Sequence, residues 1–219
     1  MTERVAIFNA AAGHIGVGDT VANVDTDQSP LAKACRRQYA LCRDTLLAEH
    51  PWLFARRCET LAAWTTPPPD AAYAYRFDPS FLVVRLVLPY LHAPPMPWRL
   101  GGVTDPVQGD VTLLLTDTPA TLAVATRRIE REQIFRPLFV EALGWRLAWG
   151  ICKELSKDEA TRQECWVQYL YWTNLAKAQD QMQATYDMPD GELYEAREGA
   201  TFGLTAVEQV EYRRLHSVA

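Results

Sequence analysis

The apolar positions of this chain change period twice. They recur at three and four near the start, partly alternate through the middle, and return to helical spacing after about residue 136. Val5, Phe8 and Ala12 share one face of a short helix. Gly13, Gly16 and Gly18 then break it, and Gly16 or Gly18 can supply the left-handed residue that closes such a helix. Ser29-Pro30 starts a second helix: Ser caps a free backbone N–H, and Pro suits the first helical position, where its missing N–H costs nothing. Leu31, Cys35, Tyr39, Cys42 and Leu46 fall on one face, and Arg36, Arg37, Arg43 and Asp44 are expected mostly on the other. Pro51 stops this helix by disfavouring helical geometry at His50 and removing a donor. Trp52 and Phe54 are expected to share a face of an extended stretch, with Trp52 buried where helical and β parts meet.

Residues 54 to 128 have a different character. Prolines cluster in TTPPPD (Thr65 to Asp70) and HAPPMP (His92 to Pro97), which read as loops. Between them, YAYRF (Tyr73 to Phe77) and LVVRLVL (Leu82 to Leu88) have β-branched and aromatic content in partial alternation. VTLLLT (Val111 to Thr116) and TLAVATRRI (Thr121 to Ile129) flank Asp117-Thr118-Pro119-Ala120, whose turn chemistry predicts a hairpin. The whole region reads as one small, mostly antiparallel sheet between helices.

Arg136-Pro137 opens a helix expected to reach about Leu155. Leu138, Ala142, Trp145, Trp149 and Cys152 form a heptad-like stripe, and Phe139, Leu143, Leu147, Ile151 and Leu155 a second. A helix apolar on two faces needs partners on both, from this subunit, a neighbour, or each. A further helix is expected from Asp158 to about Thr185, with Cys165, Tyr169, Trp172 and Ala176 in a row. Four of the seven tryptophans lie in these two helices. Either they make a packed aromatic core, or some line a subunit interface, where Trp is enriched.

After Met188 the periodicity fades. PDGELYEAREGATFG holds turn-forming glycines at Gly191, Gly199 and Gly203, and Thr205 with Glu208 fits a capping box for a short last helix. A tail of this kind is either a loose end or an arm that orders on a partner. Phe202, Leu204, Val207, Val210, Tyr212 and Leu215 supply apolar anchors that a purely solvating tail lacks, and favour the docking arm.

The order of these features is distinctive. A short helix closed by GHIG and a loop precede a Ser-Pro-started helix with Cys35 and Tyr39, which ends in RDTLLAEHPWLFA (Arg43 to Ala55). In this order, and in the strand region and two long helices that come after it, the chain resembles the tail tubular protein A family. These are the head-to-tail adaptors of short-tailed, T7-like bacteriophages. The resemblance spans residues 3 to 185. It implies a β-rich part beside a helical bundle, and a homo-oligomer in the form of a dodecameric ring. It also implies a portal protein and a tail nozzle protein as partners, with the portal as the partner of the C-terminal arm. Phage DNA would pass through the lumen without specific binding. The expected location is the virion tail, after assembly in the host cytoplasm.

Charge bears on this expectation. The chain carries −5 with a pI near 5.4, whereas nucleic-acid-binding modules usually show a basic footprint. About twelve copies at −5 each would give a ring roughly −60, which suits a channel wall that must not grip phosphates. A charge of −5 is also ordinary for a soluble protein. Were the chain to bind DNA, Arg127, Arg128, Arg131 and Arg136 would be the first candidates. No apolar run is long enough to span a bilayer, and MTERVAIFNAAAG is too short and polar for a secretory core, so a membrane partner is not expected.

Catalytic chemistry finds little support. GHIGVG lacks a following Lys-Ser/Thr and comes after no strand, so it is neither a P-loop nor a dinucleotide fingerprint. His14, His50, His92 and His216 show no metal-ligand spacing. Five cysteines, an odd number in a long chain, do not suggest a disulfide framework. Cys35 and Cys42 stand roughly 10 Å apart on a helix, too far for one bridge or one zinc. All five read as small buried hydrophobes. Cys58 with His50 lacks an orienting third group for nucleophilic chemistry. Asp78 and Asp117 read as turn residues, and Glu130, Glu132 and Glu141 as solvated or ion-paired positions. No catalytic, cofactor or metal residue is assigned.

The sequence therefore predicts an α+β protein. An antiparallel-type helical bundle is expected from 1–53 and 130–188, a β-rich insertion at 54–129, and a C-terminal docking arm at 189–219. A ring-forming virion adaptor is the favoured function. A cytoplasmic oligomeric scaffold or regulatory protein without catalysis is the alternative, and a small enzyme with a fold-dependent site is the third class.

Overall fold

Local chemistry decides where the helices begin and end in this structure, a computed structural model that describes residues 3–91, 93–105 and 109–186. α1 (Glu3–His14) closes on Gly16, whose φ is +71°. The Gly16 N–H donates to Gly13 and the Val17 N–H to Ala12, the paired bonds of a left-handed helix end. α2 (Pro30–Glu49) starts as its sequence suggests: the Ser29 hydroxyl accepts from the Ala32 N–H at 3.2 Å, and Pro30 holds the first position. α3 (Pro137–Leu155) and α4 (Glu159–Tyr186) come after the strands. The Asp158 carboxylate caps α4 by accepting from the Ala160 and Thr161 N–H groups. The two units of the chain are Met1–Ala176 and Lys177–Ala219. Of the second, the structure describes the end of α4.

Pro51 ends α2 as expected, but the chain then enters a turn and not an extended stretch. His50 is extended, with φ −141°, and the Ala55 and Arg56 N–H groups both donate to the Trp52 carbonyl. This turn places Trp52 and Phe54 on one another, rings 6.0 Å apart, and both against Phe139 of α3 at 5.1 Å. Trp52 is 1% exposed. Its indole N–H donates to the Leu46 carbonyl at 2.9 Å. The Arg85 guanidinium donates to the Ala48 carbonyl at 2.5 Å. Two of the four carbonyls left open at the end of α2 thus receive side-chain donors, one from the turn and one from the sheet.

Among the described residues, six strands lie between Arg56 and Arg127: β1 (Arg56–Thr60), β2 (Tyr73–Arg76), β3 (Phe81–Leu88), β4 (Arg99–Asp105), β5 (Gly109–Thr116) and β6 (Leu122–Arg127). They form two antiparallel three-stranded sheets, ordered β1-β6-β3 and β2-β5-β4, in place of the single expected sheet. The expected hairpin at 117–120 does not exist. β5 and β6 belong to different sheets, so Asp117 to Ala120 carry the chain from one to the other. The Tyr75 hydroxyl accepts from the Ala120 N–H at 2.7 Å where the chain crosses. Tyr75, Val84, Val87, Leu114, Ala123 and Ala125 pack between the sheets. β3 shows register shifts at Phe81/Val83 and Val84/Leu86, so Phe81, Val84 and Val87 are buried at a spacing of three, and strict alternation is lost.

The helical core is separate. Phe8, Leu31, Cys35, Leu46, Trp52, Phe139, Leu143, Leu147 and Ile151 are its buried centre. α3 lies against both α1 and α2, which is why it is apolar on more than one face. Two side chains pin the loop after α1. Asn9 exchanges two hydrogen bonds with the Val21 backbone at 2.7 and 3.1 Å, and Arg36 donates to the carbonyls of Val24 and Asp27. Arg43 departs from the expected outward face. It is 7% exposed, bonds Asp44 at 2.8 Å and stands over the Tyr39 ring. Its partner carboxylate and an aromatic face make that burial tolerable.

Candidate functional site

α4 carries apolar side chains on two faces, one buried and one exposed. Its inner face buries Cys165, Tyr169, Thr173 and Ala176. It is tied to α3 by aromatic and cationic side chains. Trp166 packs on Trp149 at 5.2 Å, and the Arg146 guanidinium sits 5.0 Å from the rings of Trp149, Trp166 and Tyr169. Arg162 covers Trp149 at 4.7 Å, and the Tyr169 hydroxyl donates to Glu49 of α2. Burial, then the Glu49 hydrogen bond and charge, push the Tyr169 phenol well above its ordinary range.

The opposite face of α4 is also apolar. Val167, Leu170, Tyr171 and Leu175 are 59, 44, 59 and 40% exposed. The helical period puts 167, 171 and 175 in one row with 170 beside it, so the four make a contiguous stripe. The tryptophans of these helices are not part of it. Trp145, Trp149, Trp166 and Trp172 are partly buried against the helical core. Sequence reading finds the inner row of α4 and misses this outer one. The same three-and-four spacing is present, but hidden among Gln163, Glu164, Gln168 and Asn174.

The other features singled out in the sequence resolve individually. His14 stacks on Trp145 at 3.5 Å and stands 3.7 Å from Glu141. Burial lowers its pKa, with Glu141 opposing, so at neutral pH the ring is uncharged and that contact is not an ion pair. Glu141 instead accepts from the Trp145 indole at 3.2 Å. Glu132 accepts from Arg4 and from the Tyr39 hydroxyl, tying α1 and α2 to the short 3-10 turn at Glu132–Ile134. Asp78 holds a turn by accepting from the Ser80 N–H at 2.7 Å. His50 packs edge-on to Trp52.

Four cysteines are buried as expected, and burial raises the thiols, Cys35 to about 12 and Cys42 and Cys165 to about 11. Cys58 corrects the expectation: it lies exposed on β1, an edge strand open on nearly every residue. Among the described residues, no three His, Cys, Asp or Glu side chains come together to hold a metal ion, and no helix is long and apolar enough to cross a membrane.

Of the arginines named as DNA candidates, Arg127 pairs with Glu59 and Arg128 with Asp44, each at 2.9 Å. Arg131 and Arg136 have no ion pair among the described residues. The proposed arm anchors Phe202, Leu204, Val207, Val210, Tyr212 and Leu215 lie outside the described residues, as do His92 and His216. No protein-family model and no curated protein matches the chain.

Proposed function

We propose that the chain is a virion structural protein: a ring-forming head-to-tail adaptor that joins a portal to a tail nozzle and continues the DNA channel. The observation that carries this reading is the outward stripe of α4, Val167, Leu170, Tyr171 and Leu175. A helix buried on one side and apolar on the other is suited to lateral packing against a second copy. The sequence resemblance, centred on Arg43 to Ala55, supplies the identity of the ring. The reading takes the four helices as an antiparallel-type bundle and residues 189–219 as the arm that engages the portal. Its mechanism is mechanical: copies pack side by side through α4, and the ring presents different surfaces at its two ends. The alternative, a cytoplasmic oligomeric scaffold, shares the lateral contact and lacks the portal.

Sedimentation velocity tests the lateral contact. The wild-type chain should associate as its concentration rises, or when seeded by portal rings. Leu170→Glu with Tyr171→Glu should abolish both while leaving the melting temperature nearly unchanged, because these positions face solvent in the free chain. Undiminished association in the double variant would remove α4 from the interface.

A further inference from the structure

A cleft of about 770 Å³ lies at one end of the β1-β6-β3 sheet, and four arginines wall it: Arg57, Arg127, Arg128 and Arg131. The backbone fixes this wall. The Asp78 carbonyl accepts from the Phe81 N–H, and the Ser80 carbonyl from the Arg128 N–H at 2.8 Å, so the turn before β3 is clamped to the exit of β6. Ser80 also lines the cleft, and its backbone N–H and hydroxyl both face the Asp78 carboxylate, holding it in its charged form.

The charges narrow the ligand. Arg127 and Arg128 each spend one edge on a carboxylate of the chain, Glu59 and Asp44, and keep further N–H donors. Arg57 donates to the Phe54 and Arg56 carbonyls. Arg131 carries no ion pair among the described residues. Guanidinium forks match single oxyanions of carboxylate or phosphate type. A run of phosphates needs a dense basic surface, and here two of the four arginines are already paired with carboxylates of the chain. The wall also holds Ile134, 40% exposed, which offers an apolar contact. We infer that this cleft binds an acidic peptide segment of a partner protein. Its carboxylates meet Arg131 and the Arg127/Arg128 pair, and an apolar side chain between them rests on Ile134. The inference does not depend on ring assembly.

Fluorescence anisotropy on the full chain tests it, with the labelled peptide Asp-Glu-Leu-Phe-Glu-Asp as probe. Arg131→Ala should weaken binding by about tenfold. Lys153→Ala, an exposed change on α3 that removes the same charge, should leave it unaltered. Arg131 is exposed and carries no ion pair among the described residues, so its removal should not disturb the melting temperature. Failure of the wild-type chain to bind the peptide, or equal binding by Arg131→Ala, would overturn the proposal. Tighter, Arg131-dependent binding of duplex DNA than of peptide would overturn it too, assigning the cleft to nucleic acid.

Discussion

Trp52 does two things at one position. Its ring fills the space between the end of α2 and Phe139, and its N–H satisfies the Leu46 carbonyl. Trp52→Ala should therefore cost about 3–5 kcal/mol in urea denaturation. Trp52→Phe keeps part of the packing but strands that carbonyl, and should cost less, about 1–3 kcal/mol. Equal stability of wild type and Trp52→Ala would contradict the burial of this ring. His14 gives the fold a pH dependence. Its folded pKa lies below the ordinary 6.5, through burial against Trp145, so between the two values the unfolded chain binds more protons. Its contribution is fully present above the unfolded value and is lost as pH falls below about 6.5 toward the folded one. The melting temperature of the wild type should drop more than that of His14→Phe over this window. Parallel curves would show that His14 is not held neutral.

At the scale of elements, the turn between α3 and α4 stores a small strain. Lys157 sits at φ +57°, the left-handed region, while its N–H donates to the Cys152 carbonyl to close α3. Lys157→Gly should relieve it and raise stability by about 0.5–1 kcal/mol, read as a higher denaturant midpoint at unchanged slope. An unchanged or lower midpoint would mean that the unfolded-state entropy of glycine outweighs the relief. Helices are legible in the sequence because their signals are local: Ser29-Pro30, Gly16, Pro51 and Pro137 each act within a turn of the residue itself. Strands are less so. β1 reads RRCET, with no apolar alternation, because it is an exposed edge. β4 carries Gly101 and Gly102, which lower any strand signal. The false hairpin has the same root. Turn chemistry at 117–120 is local, but Thr116 pairs with Tyr73 and Leu122 with Thr60, and no local pattern encodes such distant partners. The outer stripe of α4 is hidden for a related reason: only the tertiary arrangement decides which of its two apolar rows is covered.

For the whole molecule, the claim is that many copies act as one. In the proposed ring, a net charge of −5 per chain would suit a wall that repels DNA, and the exposed α4 stripe would provide the lateral contact. Multivalency then turns weak single contacts into a lasting joint, provided each copy also reaches the portal. Mass measurement of the chain mixed with purified cognate portal rings examines this most directly. A discrete complex carrying about twelve added copies is expected, the closed symmetric number implied by the resemblance. The chain lacking residues 200–219 should keep its melting temperature and fail to join. Portal rings that gain no mass from the full-length chain at any concentration would contradict the adaptor reading.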